Sequence, residues 1–126
     1  MITKMEYLTE GIDMTRKIAF PTDKGGLDDT IYSRFGRAPT FTIVEVDDGN
    51  IVAVKVIENP GHTAGSGAGI RAVQRLVEEG VSTVIGPSPG PNAYMALQQS
   101  GIEVINMTGV TVREALSKYL GKWSSL

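Results

Sequence analysis

Apolar positions along the chain come in short runs of two periods, and the period changes near the middle of the 126 residues. Lys17 to Pro21 reads as a short buried strand, ended by Pro21, Asp23 and the Gly25-Gly26 pair. Two longer strands follow, Thr40 to Val46 and Ile51 to Glu58. They are joined by Asp47-Asp48-Gly49-Asn50, a hairpin turn in which Gly and Asn tolerate positive φ, so this pair is antiparallel. Beyond Asn59-Pro60 the period lengthens. Ile70, Val73, Leu76 and Val77 fall on one helical face that stops at Gly80. Val81 to Ile85 is a strand, Asn92 to Gln99 a helix closed by Gly101, and Glu103 to Ile105 a last strand. Thr111 and Glu114 make a capping box that starts a helix through Leu120, with Gly121 as its stop.

The order is β-β-β-α-β-α-β-α. Right-handed crossovers make the later strands parallel, and the hairpin sets the second strand against its neighbours. The expected fold is therefore α/β and ribonuclease H-like, a mixed five-stranded sheet with three helices. The first residues, MITKMEYLTEGIDMTRK, hold neither period. Residues 1–15 read as an N-terminal tail, disordered or packed as a short helix, and Met14 offers an alternative start codon. Residues 16–121 form one domain and 122–126 a C-terminal tail.

Composition narrows the chemistry. Twelve Lys and Arg are scattered among 14 Asp and Glu, net charge −2, which argues against a nucleic-acid surface. There is no cysteine, hence no disulfide, thiolate zinc site, thiol nucleophile or thiolate-held cluster. No apolar run approaches the roughly 20 residues that span a bilayer, and no secretion signal opens the chain, so the expected location is cytoplasmic.

Loops leaving the carboxyl ends of parallel strands gather at one edge, where ligands bind. Four such loops are expected: Thr22 to Gly26, Asn59 to Gly69, Gly86 to Asn92, and Asn106 to Gly109. Within GSGAG, Gly65, Gly67 and Gly69 clear side chains from a helix entry, and its free N–H groups would seat an anion. A tight connection that uses glycine only for backbone freedom is an equal reading. Neither a Walker loop nor a G-x-G-x-x-G fingerprint fits, since Arg71 stands where the last glycine belongs. Ser88, Gly90 and Asn92 belong to a second helix entry, SPGPNA, with Pro91 suited to the first turn.

His62 is the single imidazole, able to cap one open metal position on a preformed cofactor but not to build a zinc site alone. Acids from several strand ends, which a two-metal nuclease needs, are missing, and neither Ser66 nor Ser88 has a nucleophile-elbow setting. Arg34 and Arg37 flank the loop before the second strand and would either favour an anionic cargo or pair with Asp28 and Asp29, the pairing being the expected outcome. Three functions stay open at this point. They are a carrier of an anionic metallocluster, a small regulatory or interaction domain without cofactor, and a metal-dependent phosphohydrolase using Asp23.

The segments SRFGRAPTFTIVEVDDG, ENPGHTAGSGAGIRAVQRLVEEGV, GPSPGPNAYMALQQSGIEV and TGVTVREAL resemble the dinitrogenase iron-molybdenum cofactor biosynthesis family. Its members include NifX/NafY-type accessory domains and the C-terminal part of NifB, and the likeness runs from Arg16 to Leu120. The resemblance implies a ribonuclease H-like fold and a non-catalytic role in binding or carrying the iron-molybdenum cofactor or an iron-sulfur precursor. It also implies metallocluster donor and acceptor proteins as partners. A histidine is implicated in holding the cluster in relatives, and His62 alone could inherit that role. Gly65, Ser66, Gly67, Ala68, Gly69, Ser88, Gly90 and Asn92 would complete the cofactor site.

Overall fold

The computed structural model describes residues 15–124; the expected N-terminal tail, Thr15 apart, lies outside them. Five strands and three helices follow the expected order: β1 (Thr15–Thr22), β2 (Thr40–Asp47), β3 (Asn50–Glu58), α1 (Ala68–Glu78), β4 (Thr83–Gly86), α2 (Pro91–Gln99), β5 (Glu103–Asn106) and α3 (Val112–Ser124). They form one sheet in the order β3-β2-β1-β4-β5. β2 is antiparallel to both β1 and β3, while β4 runs parallel to β1 and β5 to β4. Consequently β1, β3, β4 and β5 all point one way, and the four expected loops leave the same edge of the sheet.

Helices cover both faces, which is why β1 reads as an unbroken apolar run. Ala19 belongs to the core under α1 and α2 with Phe41, Ile43 and Leu76, whereas its neighbours Ile18 and Phe20 pack under α3 against Val44 and Leu116. β3 is an edge strand, and Val52, Val54 and Val56 stay exposed on it. A bulge opposite Glu45/Val46 and the Lys55–Glu79 ion pair interrupt that edge, the usual means of discouraging further strand pairing.

Several local expectations need correction. Thr15, placed in the tail, is the first residue of β1. In the hairpin it is Asp48 and Gly49, not Asn50, that take positive φ, at 52° and 81°. Two left-handed residues in a row match the twist of the flanking strands. Val81 precedes its strand because its N–H bonds to the Leu76 carbonyl and closes α1. Ile70 and Val77 are 37% and 47% exposed; the buried stripe of α1 is Ala72, Val73 and Leu76. Small Ala72 sits where the helix lies against the sheet, and the two outer residues flank a groove toward α2. Gly121 does not stop α3, which continues to Ser124 through residues assigned to the C-terminal tail. Gly121 keeps a negative φ, so it supplies no left-handed exit.

The capping box forms as expected: the Glu114 N–H donates to Thr111 Oγ1 at 3.1 Å, and the Thr111 N–H donates to Glu114 Oε1 at 3.0 Å. That backbone donor holds the Glu114 carboxyl below its ordinary range, so its contribution is full at neutral pH and fades as pH falls through the carboxylate range. Thr111→Ala should cost about 1 kcal/mol, read as a lower urea midpoint at unchanged slope. Among the described residues no helix is long and apolar enough to cross a membrane.

Candidate functional site

The rim is built on a clasp between two loops, residues 35–39 before β2 and residues 59–65 after β3. Asn59, only 3% exposed, is its centre. Its Nδ2 donates to the carbonyls of Ala38 at 2.9 Å and Gly36 at 3.2 Å, while its Oδ1 accepts the Gly61 N–H at 2.9 Å. The last contact is an Asx turn, the conformation that an Asn-Pro-Gly sequence favours. Phe35 anchors the other loop in the core, its ring 5.4 Å from that of Phe41. Gly61 is buried, and a Cβ there would lie 2.3 Å from the Ala68 oxygen and 2.6 Å from that of Gly36. Close backbone approach, not left-handed φ, therefore requires this glycine.

Arg37 crosses the clasp. Its guanidinium donates to the carbonyls of Ala64, Gly61 and Gly65. The expected pairing of Arg34 and Arg37 with Asp28 and Asp29 is thus not what forms. Asp28 pairs with Arg113 at 2.9 Å. Asp29 accepts the N–H groups of Asp23, Gly25 and Thr30. Three backbone donors within reach satisfy the Asp29 carboxylate locally, which leaves no call on a distant guanidinium.

His62 is exposed, and its Nδ1 lies 3.0 Å from the Arg37 carbonyl oxygen. A carbonyl can only accept, so in the neutral form of the ring Nδ1 carries the proton and Nε2 is bare. The imidazole lines a hollow of about 580 Å³ with Thr40, Glu58, Thr63 and Arg75. Arg75 is paired with Glu79 at 3.1 Å. The hydrogen bond from Lys55 is the main cause that holds the Glu79 carboxyl below its usual range, so Arg75 adds little net charge to this hollow.

The glycine-rich residues lie alongside. Gly67, φ 69°, is the N-cap of α1, a left-handed position at the point where the chain turns into the helix. Gly69 allows α1 to meet α2, since a Cβ there would stand 3.0 Å from Cβ of Ala93. Gly67, Ala68, Gly69, Gly90 and Asn92 surround a hollow of about 270 Å³ between the starts of the two helices. Ala68, Gly69, Ser88 and Gly90 also border one of about 320 Å³ with Arg34 and Arg37. Neither helix has a side-chain cap or an acidic residue in its first turn, so their leading N–H groups and dipoles remain available to an anion. No carboxylate lines either hollow.

The predicted site residues thus fall into adjacent places. Gly67, Ala68, Gly69, Ser88, Gly90 and Asn92 come together at the helix starts, His62 faces the neighbouring hollow toward β3, and Gly65 and Ser66 lie exposed in the turn between them. Sequence reasoning missed Asn59, Gly61 and Gly36; the Asn-Pro-Gly turn signal marks the first two.

Among the described residues no three His, Asp or Glu gather where they could hold a metal ion. One imidazole, backbone N–H groups and guanidinium groups suit an anion that arrives with most of its metal coordination complete, not a bare divalent cation.

Known proteins give this geometry a context. Residues 14–122 match the family described as dinitrogenase iron-molybdenum cofactor. The orange protein of Desulfovibrio gigas, solved in its apo form, is 34% identical, with 88% of this chain and 92% of that one covered at a TM-score of 0.78. A provisionally named NifB protein from Thermotoga is also 34% identical, covering 82% of this chain and 86% of that one, TM-score 0.68. The uncharacterized protein MJ0580 of Methanocaldococcus jannaschii is 32% identical over 104 residues, 82% of this chain and 85% of the relative.

Proposed function

This chain belongs to the dinitrogenase iron-molybdenum cofactor family, and from that premise we propose that it is a non-catalytic cytoplasmic carrier of an anionic metallocluster. The cargo is the iron-molybdenum cofactor or an iron-sulfur precursor of it, taken from a donor protein and released to an acceptor. The observation that carries this reading is the state of His62. With Nδ1–H committed to the Arg37 carbonyl, the neutral ring keeps a bare Nε2 on an exposed side chain, in the loop whose Gly61 packs against Ala68 at the start of α1.

A carrier has to bind firmly enough to protect its cargo and loosely enough to give it up. One protein ligand on a cluster that keeps its own bridging sulfides meets both needs. The leading N–H groups of α1 and α2, with Ser88, Asn92 and the cationic Arg34, would offset negative charge by hydrogen bonds that break without covalent chemistry. Because the chain has no cysteine, thiolates cannot compete for the iron sites. The strand order 3-2-1-4-5, with the second strand reversed, supports a ribonuclease H-like reading of the fold. Asp23, on which a hydrolase would rely, belongs to no group of three acids or histidines able to hold a metal among the described residues, and its loop neighbours are engaged otherwise, Asp28 by Arg113 and Asp29 by backbone N–H groups.

The test is anaerobic reconstitution of the full chain with isolated iron-molybdenum cofactor, followed by iron and molybdenum analysis after gel filtration. Wild-type protein should retain about one cluster per chain, and His62→Ala should lose at least tenfold in affinity, the scale of one good ligand interaction. Equal retention by both proteins removes His62 as the ligand. No retention by either removes this cargo.

A further inference from the structure

His62 has a second partner relationship that its own loop does not explain. Arg37 lies 25 residues earlier, yet it touches both the ring and the backbone on either side of it. Its carbonyl oxygen takes the Nδ1–H at 3.0 Å. Its Nη1 reaches the carbonyls of Gly61, immediately before His62, and Ala64, two residues after it, and its Nη2 reaches that of Gly65. The His62 N–H is used as well, donating to the Asn59 carbonyl at 3.0 Å. The ring and the carbonyls on either side of it are therefore referred to one residue of the opposite loop, while the His62 N–H is held within its own.

We propose that Arg37 is the positioning residue of His62: it locks the imidazole in the Nδ1–H tautomer and presents a bare Nε2 at the rim. The chemistry supplies the reason. A histidine side chain free in water prefers the opposite tautomer, with the proton on Nε2, which cannot bind a metal through that atom. Holding Nδ1 against a carbonyl reverses the preference, as the outer hydrogen bond does for metal-ligating histidines in general. The carbonyl alone would not suffice, because a glycine-rich turn could swing the ring away. The guanidinium, a planar fork with five donors, fixes that turn by its own oxygens. Lysine has three donors but on one compact nitrogen, so it could not span the carbonyls that Nη1 and Nη2 reach from separate points.

This inference rests on the carrier reading only for its purpose; its physical content can be measured without cargo. The full chain, labelled with ¹⁵N in its single histidine, gives one set of ring signals in long-range proton–nitrogen NMR of the neutral ring at alkaline pH. Wild-type protein should show Nδ1 protonated and Nε2 bare. Arg37→Gln should move the majority to Nε2–H, and Arg37→Lys should fall between, with amide spectra that keep the native dispersion of Phe35 and Phe41. A wild-type spectrum with the proton on Nε2, or the wild-type pattern persisting in both folded variants, overturns the proposal. If Arg37→Gln does not fold, the wild-type spectrum and Arg37→Lys still decide it. Reconstitution with isolated iron-molybdenum cofactor separates the two readings. The positioning role predicts about 10–100-fold weaker loading of Arg37→Gln. Full loading of His62→Ala alongside the expected ring spectra sinks the ligand assignment and leaves the tautomer lock standing.

Discussion

Replacing Asn59 by alanine should destabilise the domain by about 2–4 kcal/mol, because it strips partners from three backbone groups at once, each costing roughly 1–3 kcal/mol when left unpaired and buried. The carbonyl of Ala38 and the N–H of Gly61 are bonded to Asn59 in buried contacts, and the Gly36 carbonyl in a partly buried one. Water entering the vacated space at the Gly36 side would recover some of the loss, which keeps the figure below the simple sum. For a domain of this length that is a fall of about 8–16 °C in melting temperature, at roughly 4 °C per kcal/mol. Urea unfolding reads it directly, with a lower midpoint at unchanged slope. Asn59→Asp should fare no better, since it keeps the acceptor for Gly61 but loses both donors and buries a charge. A loss under about 1 kcal/mol for Asn59→Ala would mean that water replaces the bracket, and the clasp would no longer account for the joint presence of the FGRA and NPG segments.

Gly61→Ala should be the other severe change, and the contrast with Gly65→Ala makes it informative. The new methyl of Gly61→Ala would meet two main-chain oxygens, of Ala68 and Gly36, neither of which can rotate aside. The loop has to move as a unit, at a cost of about 1–3 kcal/mol or more, and the residue it displaces is the next one, His62. Gly65 lies four residues on in the same loop, has open space around its Cβ direction and does not hold positive φ. Gly65→Ala should therefore stay within about 0.5 kcal/mol of wild type. Melting curves for the pair, with the His62 ring spectrum as a local readout, check both halves. Equal melting temperatures would show that the loop adapts freely, and a rim that adapts freely could not hold His62 in a set direction.

Both variants bear on function through the same geometry. The clasp joins the loop that carries the imidazole to the loop whose Arg37 carbonyl and guanidinium bond to it and to its flanking backbone. Loosening it should weaken cargo retention even where the protein still folds.

Much of the architecture was legible because it rests on period and punctuation. The turn Asp47-Asp48-Gly49-Asn50 between the apolar runs of β2 and β3 declares a hairpin, the capping box at Thr111 and Glu114 declares the start of α3, and β1 reads as buried because Ile18, Ala19 and Phe20 are all apolar. Strand directions then follow from connection rules, and with them the edge at which the loops gather. His62 could be singled out because it is the only imidazole.

Long-range contacts decided the rest. No local signal says that Asp29 spends its carboxylate on its own loop while Asp28 goes to Arg113, 85 residues away. Nearness in sequence therefore suggests an acid as the partner of Arg37, whereas its partners are carbonyls of another loop. Four glycines between Gly61 and Gly69 look alike in the chain, yet Gly61 is required by backbone crowding, Gly67 by its left-handed φ and Gly69 by the approach of Ala93, while Gly65 has no such constraint. The physical reason is the range of the forces involved. Hydrophobic period and capping act over a few residues and leave their mark in the sequence. The pairing of a single polar group, or the space beside a single Cα, depends on chain segments brought together only when the sheet and its helices have packed.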